Sequence, residues 1–489
     1  MQKLFTILAL ALAAFPQTPT GLAVLQATSK QVQLSWTGGQ PAYVVERKPL
    51  GGVYSALPSN TDPATSTYTD SAIAPYETYT YRVRTRLSPT TLSDPSDEFT
   101  VGPPPTGLSL ASPLNPAITA YSLTTPANFG ARLRIALDSN GDPAIAYYIY
   151  SPQEDPAKSF VEFVSWNRVT YKWNTPRKVA MTGDMLGAPI LARDAASNTW
   201  GVAYGKYGGN PRIALSRDNG DTWSDNDFLD CADSSCGAPA LAMGAGKLHL
   251  AVLRSPEGVR YVTGSINEPA SAWQSQLVPK PIGGFEAIGP VDLAVDSANQ
   301  PAVAFWSNTD SYNLILGVWR PGQQTQIAMD TAGYQTDAPE VDLKFAGASA
   351  RLLAVARRTE EFYNRYDQNL WLLRDLGGAF SVPQNLPTDG EVTLGVPSLA
   401  VGSAGQISVA ATEVGGSGID VRCGSMKLID QPSESGPWQA CSPIARDGQP
   451  FYDVNFPRVI YAPNDARYII FTNTGADTQY PGVVVWRER

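Results

Sequence analysis

Histidine is almost missing from this chain. One occurs in 489 residues, His249. A metal centre built on several imidazoles is therefore not on offer, and a Ser-His-Asp triad would hang on that one ring. The ring sits in Leu248-His-Leu250, where even-odd alternation predicts a packed strand residue. Cysteine is scarce as well, at four, and no two are spaced Cys-x-x-Cys. Positive charge is outnumbered: 36 Lys and Arg face 45 Asp and Glu, for a net charge of −9. Without a basic face the chain is a poor nucleic-acid binder, and no Lys/Arg cluster reads as a membrane-surface patch. No long amphipathic helical period is found beyond the first residues. The only long apolar run, Leu4 to Ala14, is too short to span a bilayer.

That run has another reading. Lys3 starts it, and Ala11-Leu-Ala13 fits the small-residue cleavage rule, so residues 1–15 are expected to be a secretory signal cut after Ala13. The protein is then secreted, extracellular or periplasmic. In that setting an even number of cysteines predicts disulfides rather than zinc. Cys231 pairs with Cys236 across a short loop, and Cys423 with Cys441 across neighbouring strands.

What the chain has in abundance is turn residues and aromatics: 42 Gly, 40 Pro and 10% Phe, Trp and Tyr. They punctuate one phrase that occurs seven times. Its best copies are Leu293-Ala-Val-Asp-Ser-Ala-Asn-Gln-Pro-Ala-Val-Ala-Phe305 and Ile135-Ala-Leu-Asp-Ser-Asn-Gly-Asp-Pro-Ala-Ile-Ala-Tyr147. Looser copies begin at Leu191, Leu241, Leu343, Leu399 and Val459. Each is an apolar strand, a turn of Asp, Ser, Gly, Asn or Pro, and a second apolar strand, which predicts a β-hairpin. Six copies follow a proline: Pro189, Pro239, Pro290, Pro339, Pro397 and Pro457. A repeat of roughly 50 residues with about four strands per unit is the mark of a β-propeller. The last repeat has room for only three strands, so the segment Ile118 to Thr125 is expected to supply the fourth and close the ring.

Residues 18–101 form a separate stretch of short alternating strands, including Val32-Gln-Leu-Ser-Trp36 and Tyr79-Thr-Tyr-Arg-Val-Arg84. Pro19, Leu22, Trp36, Tyr43 with Arg47, Tyr68 with Asp70, and Pro75 ahead of Tyr79-x-Tyr81-x-Val83 occur in order. This stretch resembles a fibronectin type III domain over its full length. The resemblance implies a β-sandwich with Tyr79 as its corner tyrosine, hydroxyl bonded to nearby backbone. A Pro-rich linker, 102–116, leads to the repeats at 117–489.

After the second hairpin comes Ser216-x-Asp218-x-Gly220-x-Thr222-Trp223, a complete Asp-box. The carboxylate can hold the turn through backbone N–H groups, Gly allows a positive φ, and Trp covers the sheet edge. Ser265-x-Asn267 with Trp273 is a degraded copy one repeat on. In register with the repeat, the motif resembles the sialidase-like propeller superfamily. The fold class expected is thus all-β: a fibronectin type III sandwich followed by a sialidase-like propeller. Seven hairpins predict seven blades, with six, as in the sialidases, the alternative. Sialidases also carry an Arg-Ile-Pro motif, an arginine cluster on a carboxylate, and a Tyr–Glu nucleophile. Here the nearest counterpart is Arg134-Ile135-Ala136, which lacks the proline, so no catalytic set is identified.

Ligands of propellers usually meet the face formed by the inter-blade connections and the loops after each second strand. Those loops are expected to carry Tyr204, Arg254 and Trp306. The richest is Arg357-Arg-Thr-Glu-Glu-Phe-Tyr-Asn-Arg-Tyr-Asp367. Arg357, Arg358, Glu360, Glu361, Tyr363 and Arg365 combine the planar forks, carboxylates and flat rings of a sugar or peptide site. The acidic connections offer oxygens to Ca²⁺, but no Asp-x-Asp-x-Asp-Gly loop is present, and no metal or cofactor is assigned. The leading expectation is a secreted recognition protein for a glycan or protein. Its rival is a sialidase-like glycoside hydrolase or lyase using Tyr, Glu, Asp and arginines.

Overall fold

The computed structural model describes residues 18–57, 65–74, 77–103, 108–109, 133–151, 158–181, 185–206, 208–231, 235–309, 313–330, 341–346, 351–362, 365–376, 379–386, 393–413, 425–431, 438–443, 445–446, 449–450, 454–463, 465–473 and 482–488. The expected signal segment and Cys423 lie outside this set. Among the described residues everything regular is β-structure except one turn of 3-10 helix, Ala270–Ala272. No helix is long and apolar enough to cross a membrane. The chain divides into two compact units, one of Met1–Pro104 with Asn167–Lys172 and one of Pro105–Trp166 with Trp173–Arg489.

The first unit holds β1 (Pro19–Ala27), β2 (Val32–Gly38), β3 (Tyr43–Pro49), β4 (Ser55–Ala56), β5 (Thr67–Asp70), β6 (Tyr79–Ser88), β7 (Thr91–Leu92) and β8 (Phe99–Val101). One sheet runs β1-β2-β5, the other β4-β3-β6-β7 with β8 also on β6. Period-two alternation turns Val32, Leu34 and Trp36 inward from one sheet and Tyr79, Tyr81 and Val83 from the other, and they form one core. Each fully buried Val or Leu contributes about 1.5–3 kcal/mol. The Tyr79 hydroxyl accepts the Ala74 N–H at 3.0 Å. Deeper in, Asp70 accepts from Arg47 Nη1 at 2.7 Å and from the Tyr81 hydroxyl at 2.9 Å. Burial and the neighbouring Asp70 both push the Tyr81 phenol above its ordinary range.

The second unit begins with β9 (Leu108–Ser109). Its first sheet is β10 (Leu133–Leu137), β11 (Pro143–Ser151), β12 (Lys158–Asn167) and β13 (Lys172–Trp173), with β14 (Arg177–Met181) also on β12. The second is β15 (Met185–Asp194), β16 (Thr199–Lys206), β17 (Arg212–Ser216) and β18 (Ser224–Asp227). The third pairs β19 (Ser235–Cys236) and β20 (Ala240–Gly244) with β21 (Lys247–Ser255), then β22 (Gly258–Ser265) and β23 (Gln274–Leu277). The fourth is β24 (Glu286–Val295), β25 (Pro301–Asn308), β26 (Leu314–Trp319) and β27 (Gln326–Asp330). The fifth is β28 (Val341–Ala346), β29 (Arg351–Phe362), β30 (Arg365–Arg374) and β31 (Gln384–Asn385). The sixth is β32 (Thr393–Val401), β33 (Ile407–Glu413), β34 (Ser425–Gln431) and β35 (Gln439–Pro443). A short ribbon of β36 (Ala445–Arg446) and β37 (Gln449–Pro450) precedes the seventh, made of β38 (Val454–Tyr461), β39 (Arg467–Asn473) and β40 (Gly482–Glu488).

All seven repeated phrases are the first hairpin of a sheet. Each first strand touches the first strand of the next sheet, and β38 touches β10, so the seven sheets close in a ring around an axis. The faces pack through apolar side chains. Ala146, Val161 and Phe163 of the first sheet, for example, meet Leu191, Trp200 and Val202 of the second. The small residue near the end of each hairpin is fully buried at Ala146, Ala203, Ala251, Ala304 and Ala410, where neighbouring sheets leave no room for more.

Two details differ from expectation. Pro189, Pro290, Pro397 and Pro457 do not mark where a strand begins. The first strand runs through them across a register shift, between Leu186 and Ile190, Ile288 and Asp292, Leu394 and Ser398, and Asn455 and Arg458. A proline has no N–H for the ladder, and a bulge is where that loss is absorbed. The seventh sheet is completed by β9, with Leu108 opposite Val485 and Ser109 opposite Val484. The closing strand thus comes from the expected linker. Ile118 to Thr125 lies outside the described residues.

Candidate functional site

The first strands of all seven sheets line a cavity of about 260 Å³ on the axis of the ring. Its wall is apolar, from Ile135, Leu191, Leu241 and Leu293 among others, and five charged side chains enter it: Arg134, Asp292, Asp342, Lys344 and Arg458. Arg134, Asp292, Asp342 and Arg458 each stand immediately before the first apolar residue of their phrase, and Ser398 holds the same place in the sixth. At that position a side chain reaches the next sheet. Asp292 accepts the Leu343 N–H at 2.6 Å, Asp342 accepts the Leu399 N–H at 2.7 Å, and Ser398 accepts the Val459 N–H at 3.0 Å. Three successive sheet junctions are stitched by one device.

Lys344 stands where most copies have Ala, and its Nζ meets Asp342 at 2.6 Å. Close to half of its side chain (45%) is accessible. The residue lines the axial cavity. Burial opposes its charge, but Asp342 and Asp292 outweigh it and hold the ammonium above its ordinary value. Asp292 lines the same cavity and is half-buried. Burial, then the nearby Asp342, push its carboxyl up to about 6, with Lys344 offsetting part of the rise. Such a cluster can hold or exchange one proton near neutrality. Its carboxylates are nevertheless already engaged by backbone N–H groups.

A second locus is the fifth hairpin. Arg357 to Asp367 is not an irregular loop. β29 and β30 stay paired from Leu353 opposite Arg374 to Phe362 opposite Arg365. β28 accompanies β29 only as far as Ala356, and β31 pairs β30 only at Trp371 and Leu372. Among the described residues, Arg357–Phe362 and Arg365–Leu370 therefore form a two-stranded ribbon beyond its flanking strands. It places Arg357, Arg358, Glu360, Glu361 and Arg365 together on one projection. Tyr363 lies outside the described residues.

The other expected site residues are not on loops. Tyr204 is fully buried within β16, its hydroxyl 2.8 Å from Asp225, which Arg212 also binds at 3.0 Å. Trp306 is fully buried within β25 in the core between the fourth and fifth sheets. Both lie within strands for the same reason. The first strand resumes beyond its proline, as where Ile288 pairs Trp306, so the second strand runs further than the repeated phrase. Neither ring offers a face to a ligand. Arg254 sits near the end of β21, paired with Glu257 at 2.9 Å. His249 is buried, as its alternation predicts. Its Nδ1 is 2.6 Å from the Tyr261 hydroxyl and its Nε2 3.1 Å from Asn299 in the next sheet.

A Tyr–Glu contact does exist, at Tyr147 and Glu162, 2.7 Å apart on β11 and β12. Burial, reinforced by Glu162, drives that phenol well above its ordinary range, the opposite of an activated nucleophile. The Ser216–Trp223 turn joins β17 to β18. Asp218 accepts the Ser216 hydroxyl at 2.8 Å, the Thr222 N–H at 2.9 Å, and the Thr222 hydroxyl. Gly220 has φ +95° and would clash with the Phe163 ring if it carried a Cβ. Trp223 packs on Phe163 at 5.2 Å between ring centres. Cys231 and Cys236 form a disulfide. Among the described residues no group of three His, Cys, Asp or Glu is placed to hold a metal.

No family profile matches the chain, and no curated protein sequence does. Solved structures similar to it include the polysaccharide lyase Uly1, at 10% identity over 74% of this chain and 90% of that one, with a TM-score of 0.47. An α-L-arabinanase of Penicillium chrysogenum complexed with arabinobiose is similar at 14% identity over 78% and 98%, TM-score 0.43. The Aleuria aurantia lectin is similar at 11% over 62% and 94%, TM-score 0.37. At scores this low the architecture rests on the strand pairing of this chain itself.

Proposed function

We propose that the chain is a secreted recognition protein, a fibronectin type III module followed by a seven-bladed sialidase-like propeller, which binds an extracellular glycan or protein through the ribbon of its fifth blade. The ribbon carries this reading. It projects beyond its flanking strands among the described residues, and it concentrates arginines, carboxylates and aromatic residues in one short segment. Function tends to sit on projections from a rigid scaffold. The axis supports the same reading, because its carboxylates are committed to neighbouring backbone and its cavity is smaller than the roughly 300–1,000 Å³ of most small-molecule sites. Glycan-array and pull-down binding by the wild type, lost in an Arg365→Ala/Tyr366→Ala variant that melts normally, is the expected outcome. Unchanged binding removes the site.

One observation favours a hydrolase instead. Asp292 has its carboxyl pushed up to about 6 beside a second carboxylate, the pairing a glycosidase divides between acid and base. Hydrolysis of any glycan by the wild type, abolished in Asp292→Asn, would replace the binding reading with that one.

A further inference from the structure

We propose that His249 is an acid-released latch between the third and fourth sheets: its neutral ring holds the turn 296–300 against β21, and the protonated ring lets that turn go. The ring is buried, with 3% of the residue exposed, and both of its nitrogens are committed. Asn299 presents its amide oxygen to Nε2 at 3.1 Å. An amide oxygen only accepts, so Nε2 carries the hydrogen, and Nδ1 accepts from the Tyr261 hydroxyl 2.6 Å away. Asn299 closes its own turn at φ +59°, and a Cβ on Gly244 would come within 2.8 Å of its amide oxygen. The fourth-sheet turn is thus seated closely on the third sheet through this one side chain. Other neighbouring sheets are clasped at their turns by carboxylates. Asp194 of the second sheet accepts the Gly246 N–H at 3.2 Å, and Asp465 of the seventh accepts the Ser403 N–H at 2.6 Å. At the third-to-fourth junction the clasp is an imidazole, the side chain whose ordinary titration falls between pH 5 and 8.

A proton on Nδ1 reverses the Tyr261 bond. The phenol must then donate elsewhere, and the Thr263 hydroxyl, which itself donates to the Leu248 carbonyl at 2.9 Å, is within its reach. Hydrogen bonds can therefore be rearranged, but the new charge finds no counter-charge. β20 sets Ala242 opposite the ring, and β22 sets Thr263 opposite it with Tyr261 two positions away. Its own strand brings Lys247, a like charge. The fourth-sheet turn brings Asn299 and, in the same turn, Asp296, whose Oδ1 is already taken by the N–H groups of Ala298 and Gln300. Burial holds the ring below the ordinary imidazole value, the Asn299 bond offsets part of that, and Lys247 adds to it. The folded value thus lies below the unfolded one. The latch is at full strength above about pH 6.5 and weakens about tenfold per unit of pH below it, until the closed ring itself titrates. The rest of the junction is apolar, with Tyr261 edge-on to Trp319 at 5.3 Å between ring centres, and stays packed, so the opening is local to the turn.

With one histidine in the chain, an NMR titration of labelled imidazole has a single signal to follow. Hydrogen exchange on the full chain, corrected for the intrinsic rate, reads the turn itself at about one unit of pH above and one below the ordinary imidazole value of about 6.5. The wild-type ring is expected to titrate below that value, and amides 296–302 to lose roughly tenfold in protection at the lower pH while the Ser403 turn keeps its own. Asn299→Asp keeps an acceptor on Nε2, tolerates the left-handed backbone, and gives the imidazolium a counter-charge. Its ring should titrate higher than the wild-type ring, and the acid loss of protection should disappear. His249→Gln keeps a donor for Asn299 and takes up no proton, so its exchange should not change between the two pH values. A wild-type ring that titrates at or above about 6.5 overturns the proposal. So does pH-independent exchange at 296–302 in the wild type, or an acid loss of protection that persists in either variant.

Discussion

Asp70 in the first unit and Asp292 in the second are both strand carboxylates, yet their surroundings differ in kind. Asp70 faces one guanidinium and one phenol, and its second oxygen takes the Ala72 N–H at 3.0 Å. One negative charge meets one positive charge with every contact hydrogen-bonded. Asp292 shares its cavity with Asp342, and the nearby ammonium of Lys344 is held by Asp342. Two acids contend for one lysine, and burial, then the charge of Asp342, push the Asp292 carboxyl upward, with Lys344 offsetting only part of the rise. The first arrangement is built for rigidity, and the second keeps a titratable group inside a rigid ring.

Breaking the balanced site should have the largest effect. Asp70→Ala strands the Arg47 guanidinium and the Tyr81 hydroxyl, and the first unit should lose about 3 kcal/mol, read from its urea transition. A loss below about 1 kcal/mol would mean water replaces the carboxylate. Asp342→Ala should come next, at about 2 kcal/mol in the second unit. It removes both the partner of Lys344 and the acceptor for the Leu399 N–H.

Asp292→Asn should behave differently, because the amide oxygen can still accept the Leu343 N–H. The folded value of Asp292 lies above its unfolded one, so folding favours the neutral carboxyl and ionisation costs stability at high pH. The variant should therefore melt above the wild type near pH 8. The gap should close as pH falls from about 6 toward about 4. A gap independent of pH would show that Asp292 does not titrate in this window. The smallest effect is expected at an exposed carboxylate. The Thr222 hydroxyl and N–H hold Asp218 down to about 2, which adds stability above about pH 4 and loses it as pH falls toward 2. Asp218→Ala should lower the melting temperature slightly at pH 7 and leave ligand binding untouched. A binding defect without a thermal shift would make that turn part of the site.

The hairpins of both units were legible because alternation and turn chemistry are local. Asp296 shows how local: its Oδ1 takes the N–H groups of Ala298 and Gln300, while Asn299 supplies the positive φ that closes the turn. Strand extent was not legible, since a proline looks like a boundary and only the neighbouring strand shows that pairing resumes beyond it. That is why Tyr204 and Trp306 read as loop residues in the sequence yet lie in β16 and β25. The axial charges were missed for a related reason. Asp292 in Val291-Asp-Leu293 looks like a surface residue interrupting an apolar strand, and its partner is the backbone of a strand some fifty residues away. A signal was available: the residue before the first apolar position is Arg134, Asp292, Asp342, Ser398 and Arg458 in five of the seven copies. A polar residue recurring at one register of an apolar repeat marks a place where sheets converge.

The pairing of β9 with β40 gives the second unit a clasp. One sheet is woven from the opposite ends of the unit, so the contact that closes the ring is also the one of longest sequence separation. Loop closure over such a distance is entropically costly and comes late in folding. Until the final strands have formed, the ring stays an open stack with a bare edge at each end. Once β9 is seated on β40, that edge of the seventh sheet is covered at Val484 and Val485, so the two ends of the unit protect each other from fraying.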